Sequence, residues 1–147
     1  MSEPLTGLSA LEPLVGEWTM TAGPPGGEPW PGGGTVRFEW IDDGAFLRQA
    51  WEIDMPEAPN GIAIFGCDKG RGLLFQLYTD ERDVSRIYEV TLSDGEWKMW
   101  RDADDPFPQR FTATVADDGN TISGRWEKHE DGEWGVDFEL AYHRAGS

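Results

Sequence analysis

The sequence predicts an all-β fold, an up-and-down antiparallel β-barrel of about ten strands behind a short N-terminal helix, in a single domain spanning residues 1–147. Three observations carry this expectation. First, five Asp-Gly or Asn-Gly pairs punctuate the chain: Asp43-Gly44, Asn60-Gly61, Asp94-Gly95, Asp118-Gly119 and Asp131-Gly132. Such pairs accept the positive φ of tight type I′ turns and are the strongest short-range hairpin signal. Second, apolar and polar residues alternate between them, the period of a half-buried strand. Third, no helical pattern is long enough for a crossover, so a parallel α/β fold is excluded. A sandwich would also fit the strand count, but consecutive hairpins favour up-and-down order, and closure removes vulnerable sheet edges.

The elements follow in order. Leu8, Leu11 and Leu14 recur every third residue, with Ser9 placed as an N-cap and Glu12 three residues on, a capping-box arrangement. Pro13 limits this helix, residues 8–14, to about a turn, and its leucines are suited to plugging one end of a barrel over residues 16–143. In strand 16–22, Trp18, Met20 and Ala22 share a face. Residues 23–34, rich in glycine and proline, form a long loop with Trp30 at its centre, expected to cover the barrel mouth. Val36, Phe38 and Trp40 then share one face of strand 35–41, and Leu47, Gln49, Trp51 and Ile53 one face of strand 45–54. Strands 61–67 and 73–78 are apolar on both faces or nearly so, and alternation does not assign their sides.

Arg86, Tyr88, Val90 and Leu92 face one way, as do Trp97, Met99 and Arg101 beyond the Asp94-Gly95 turn. After a loop at 102–108 come Phe111, Ala113 and Val115, then Ile122, Gly124 and Trp126, and finally Val136, Phe138, Leu140 and Tyr142 in strand 134–143. The acidic stretch Asp102-Ala103-Asp104-Asp105 fails the EF-hand pattern, which needs Gly at Phe107 and Glu at Ala113, and reads as a solvated loop.

Charge and cysteine content narrow the partners. With 28 acidic against 12 basic residues the net charge is −16, which disfavours nucleic acid and anionic membranes, because those partners are held by Lys and Arg. Cys67 is the single cysteine, so no intrachain disulfide forms, and a lone thiol in a strand reads as structural in a reducing compartment. With no basic and apolar leader and no apolar run of about 18 residues, the expected location is cytoplasmic. Two distant histidines give no zinc spacing, and no hydrolase elbow or phosphate-cradling loop occurs.

If the apolar parity faces inward, the interior receives Trp18, Trp40, Trp51, Tyr88, Trp97 and Trp126, together with Phe138 and Tyr142. It is then either an aromatic core or an aromatic cavity. Gln49, Arg86, Arg101 and Gln109 share that parity. Polar groups are costly to bury unpaired, so these four point to a ligand, unless the arginines reach water at the rim. Carboxylates are almost absent from inward positions, which argues against acid/base catalysis.

The stretch Leu11-x-x-Leu14-Val15-Gly16-Glu17-Trp18 resembles the opening of calycin-type barrels, shared by lipocalins, fatty-acid-binding proteins and nitrobindins. Gly66-Cys67-Asp68, Gln109-Arg110-Phe111-Thr112, the run from Asp117 through Asn120 and Ile122 to Glu127, and Asp137-Phe138-x-Leu140-x-Tyr142 resemble a bacterial calycin-like family of unknown function, over about residues 8–142. The resemblance implies a barrel with room for a ligand and no activity. The expected partner is a small hydrophobic or aromatic molecule carrying an anionic group, met by Arg86 or Arg101 and oriented by Gln49 or Gln109, with no cofactor. Two alternatives stand beside it. Nitrobindin-like barrels hold haem through a histidine near the C-terminus, which directs attention to His143, but its parity, shared with Asp137 and Glu139, turns it outward unless a bulge reverses the strand. His129 belongs to a turn. The other alternative is a structural or interaction domain, monomer or homodimer, with Trp100 and Trp30 at an interface.

Overall fold

The computed structural model describes residues 7–41, 46–54, 60–101 and 108–145. Behind a 3₁₀ helix, Leu8–Leu14, ten strands follow: β1 (Gly16–Gly23), β2 (Gly34–Ile41), β3 (Phe46–Ile53), β4 (Gly61–Asp68), β5 (Leu73–Asp80), β6 (Val84–Ser93), β7 (Glu96–Trp100), β8 (Gln109–Val115), β9 (Thr121–Glu130) and β10 (Glu133–Arg144). Each pairs antiparallel with its neighbours in sequence, and β10 returns to β1, closing the barrel. The all-β, up-and-down architecture is the one the turns and alternation predict.

The turns themselves divide by mechanism. At Asp94-Gly95 and Asp131-Gly132 both residues have positive φ, and the flanking pairs Ser93↔Glu96 and Glu130↔Glu133 close two-residue hairpins. These are the type I′ turns the sequence predicts. In Asp118-Gly119 only the glycine is left-handed, within a five-residue connection in which the Gly119 N–H donates to the Ala116 carbonyl at 2.8 Å. Asn60-Gly61 is not a turn. Asn60 accepts the Ile53 N–H on its side chain at 2.7 Å, and Gly61 already belongs to β4. Asp43-Gly44 and the acidic stretch 102–105 lie outside the described residues.

The helix differs in detail from the expectation. Gly7 is its N-cap and no side chain caps it; Ser9 lies inside the first turn, and Glu12 instead accepts the Trp40 indole N–H at 3.0 Å. A leucine every third residue is the 3₁₀ period, which stacks i and i+3 on one side. Leu11 and Leu14 are fully buried accordingly. They meet a layer of Trp18, Phe38, Leu47, Phe65, Trp97 and Ile122, all fully or almost fully buried. Trp97 packs edge-on to Phe38 and Phe111, with centroids 6.1 and 4.8 Å apart. This end of the barrel is solid.

Arg144 seals it from outside. Its guanidinium lies 4.1 Å from the Trp18 ring and donates to the carbonyls of Val15 at 2.8 Å and Gly119 at 3.0 Å. Gly16 is needed twice over, for its φ of 131° and because an added Cβ would lie 2.5 Å from Arg144 Nη1. The Gly-x-Trp opening is therefore a packing solution at the closed end.

Among the described residues, strand β10 carries a register correction. The pairing with β9 shifts between Val136 and Phe138, so Asp137 forms a bulge that changes the parity on its N-terminal side. Val136, expected inward, pairs with outward Glu127 and is exposed. Where alternation was silent, neighbours decide: Ala63, Phe65, Leu74 and Gln76 are buried, while Ile62 and Leu77 face outward beside Ile87.

Candidate functional site

The barrel is filled at the helix end and hollow at the other. A cavity of about 460 Å³ is lined by β1, β2, the C-terminal half of β3, the end of β5 and the facing segments of β6 to β10. Its origin is legible in β4, whose inward residues run Gly61, Ala63, Phe65 from mouth to core. Two side chains too small to reach the centre let the longer residues of β3 and β5 close over β4 and form the wall there. Over Gly61 and Ala63, Trp51 of β3 and Tyr78 of β5 stack with centroids 5.4 Å apart and planes 25° from parallel. Trp126 meets Tyr88 edge-on at 5.4 Å across the opposite wall, and Trp30 of the long loop reaches over the mouth to Phe138 at 6.2 Å.

All four buried polar or charged residues among those described, Gln49, Gln76, Asp80 and Gln109, belong to this half. Gln109 Oε1 accepts the Tyr88 hydroxyl at 2.5 Å and an Arg86 N–H at 3.3 Å. Gln76 donates its amide N–H to Gln49 Oε1 at 3.0 Å. Asp80 accepts the Tyr78 hydroxyl at 2.6 Å and is gripped by Arg82, whose Nη2 donates at 2.7 Å and whose backbone N–H donates at 2.9 Å. The Arg82 guanidinium and the other donors hold the Asp80 carboxyl well below the usual carboxylate range, against the opposing effect of burial. Burial, reinforced by Asp80, raises the Tyr78 hydroxyl, which keeps its proton and remains a donor.

A pH dependence follows. Because the Asp80 pKa is lower folded than unfolded, its contribution to stability is complete above the unfolded value of about 3.9 and is lost as pH falls below it. The stability difference between the protein and its Asp80→Asn variant, from urea titrations, is expected to shrink steadily from about pH 5 to about pH 2. A constant difference would show that the Asp80–Arg82 clasp does not set the carboxyl's affinity for its proton.

Of the residues singled out in the sequence, Gln49, Trp51, Arg86, Tyr88 and Gln109 line the cavity, as do Trp126, Phe138 and Tyr142. Four others stand elsewhere. Trp18 and Trp97 belong to the solid layer, and Trp40 lies at the helix end, bonded to Glu12. Arg101 is not part of the wall; its guanidinium lies 6.0 Å from the Tyr88 ring. Gln76 and Tyr78 line the cavity unforeseen, because β5 offered no clear alternation; Arg82 joins them from the turn after β5, and Asp137 joins the rim through its bulge.

The histidines do not fit a haem site in this cavity. His143 is exposed on the outer face, since the bulge lies at the other end of β10, and His129 packs against Trp134 at 5.0 Å. Neither lines the wall. No helix among the described residues is long and apolar enough to cross a membrane.

No protein-family model and no curated protein matches the sequence. Among solved structures, that of Rv2717c from M. tuberculosis superposes with a TM-score of 0.64 over 97% of this chain and 99% of that one, at 14% identity. The likeness is one of fold. A protein of unknown function of the DUF3598 family from Nostoc punctiforme aligns over 99% of this chain and all of its own at 8% identity, with a TM-score of 0.28, too low to support an argument.

Proposed function

We propose that this calycin-type barrel is a non-catalytic, cytoplasmic carrier or sensor of one small aromatic or hydrophobic molecule bearing an anionic group. The observation behind this reading is the half-filled interior: a cavity of about 460 Å³ within the range that holds small-molecule ligands, with aromatic walls and a few placed polar groups. Trp51, Tyr78, Trp126 and Phe138 supply apolar burial and ring contacts. An inward guanidinium supports the anionic group: Arg86 lines the described wall, and Arg82 does so already paired with Asp80. Arg86 is the inner receptor in this reading, oriented by Gln109, and Arg82 stands at the rim, its side chain 54% exposed. Arg101 has no part in it.

Calorimetric titration with 2-naphthoate, followed in parallel by tryptophan emission, tests the reading. Saturable binding is expected, and Arg86→Ala should weaken it by about 1.5–3 kcal/mol, the range for hydrogen bonds to charged groups. Neutral 2-naphthylmethanol should respond little to the same substitution. Absence of saturable binding by either compound would remove the proposal.

A further inference from the structure

The glutamine pair on the cavity wall has chemistry that an apolar anion does not use. Gln49 of β3 and Gln76 of β5 are separated by β4, where the register places Ala63 opposite Gln49 and Phe65 opposite Gln76. Because Ala63 stops at Cβ, the two longer side chains meet above it, Gln76 Nε2 donating to Gln49 Oε1 at 3.0 Å. A primary amide has two N–H donors and a carbonyl with two lone pairs. The bond uses one donor of Gln76. Its other N–H and its carbonyl oxygen have no protein partner among the described residues, although Gln76 is only 3% exposed and lines the cavity. Turning both amides over exchanges the roles within the pair and still leaves unused amide groups on the wall. The unpaired Gln76 carbonyl oxygen is accessible from the cavity, so a molecule there can meet both its donor and its acceptor.

A molecule that meets both presents an acceptor and a donor side by side. The flat surroundings define the rest of it. The stacked Trp51 and Tyr78 rings stand on the same two strands as the glutamines, one inward position nearer the mouth. A planar ring lying against aromatic side chains with its edge toward Gln76 satisfies both constraints. We propose that the cavity recognises a planar heteroaromatic ring with a lactam edge, O=C–N–H, whose carbonyl accepts from the Gln76 amide and whose N–H donates to the Gln76 carbonyl, while Gln49 holds Gln76 in place. This rests on the small-molecule reading above and names the ligand class. The same pairing logic lets glutamine and asparagine amides read the paired donor and acceptor of adenine.

Two matched probes test it. Lumiflavin carries a lactam N–H between two carbonyls on a three-ring plane, and 3-methyllumiflavin is the same ring with that N–H blocked. Flavin fluorescence titrations should show lumiflavin binding about tenfold more tightly than its methylated form, since a site built around a hydrogen bond rejects a ligand lacking it. In Gln76→Leu the preference should fall to about twofold or less, with the far-ultraviolet circular dichroism spectrum and the urea unfolding slope unchanged. That control separates loss of recognition from loss of fold, and the wild-type comparison needs no variant at all. Equal affinity for the two flavins, or no flavin binding where 2-naphthoate binds, would overturn the lactam assignment and leave the glutamines satisfied by water. Failure of all three compounds would instead remove the small-molecule reading on which it rests.

Discussion

Replacing Trp97 by alanine is expected to lower stability by about 3–5 kcal/mol, the cost of truncating a large aromatic residue in a packed core. Trp97 is fully buried and stands at the centre of the solid layer, with Phe38, Phe65, Phe111 and Tyr142 rings around it at 4.8 to 6.5 Å. A domain of this size has about 5–15 kcal/mol in all, so the variant forfeits a large share. Urea unfolding should show a lower midpoint at unchanged slope. Trp97→Phe separates volume from polarity. The buried indole N–H has no hydrogen-bond partner among the described residues, so phenylalanine removes an unsatisfied donor while retaining a ring, and should cost less than about 1.5 kcal/mol. If the alanine variant lost under 1 kcal/mol, the closed end would not be the packed layer described above.

Gly61→Val acts at the other end and on a different quantity. A Cβ at position 61 would clash with the Thr79 backbone carbonyl oxygen of β5 and lie 2.5 Å from Trp51 Cζ2 and 3.1 Å from the Asp80 Cα. Both the β4–β5 pairing and the indole must therefore shift. Overpacking of this kind costs about 1–3 kcal/mol. The larger consequence is for the cavity, because the Trp51–Tyr78 stack is part of its wall. Near-ultraviolet circular dichroism should lose the contribution of the stacked pair, and affinity for 2-naphthoate should fall at least about tenfold, the equivalent of about 1.4 kcal/mol. Gly135→Val provides the control, since a Cβ there meets nothing within 4 Å and both readouts should stay as they are. Unaltered binding in Gly61→Val would place the ligand away from Trp51.

These two positions also show how far the sequence could be read. That Trp97 faces inward follows from its place after the Asp94-Gly95 turn, because a two-residue hairpin sets the pairing of both strands and alternation carries it outward. That Trp97 lies in the filled layer and Trp126 on the cavity wall does not follow, since both have the same parity. Strand 61–67 takes in Gly61 as the structure does, but the turn expected at the Asn60-Gly61 pair is not formed. Asn-Gly usually signals a turn; here the asparagine side chain bonds Ile53 and the glycine makes room for Trp51.

Covalent alternation and turn chemistry are local, so the sequence by itself determined the all-β meander, the inward faces of most strands and the outward aim of His143. Depth along the barrel is not local. It depends on which small residue stands beside which large one on the neighbouring strand, as Gly61 and Ala63 do beneath Trp51, Tyr78, Gln49 and Gln76. Only the tertiary structure therefore decided that the interior is solid at the helix and open at the mouth, that the Asp137 bulge turns Val136 outward, and that Gln76, Tyr78 and Arg82 join the wall. The physical reason is that side-chain parity is set within a strand, whereas empty space is set by the volumes that several strands bring to one level.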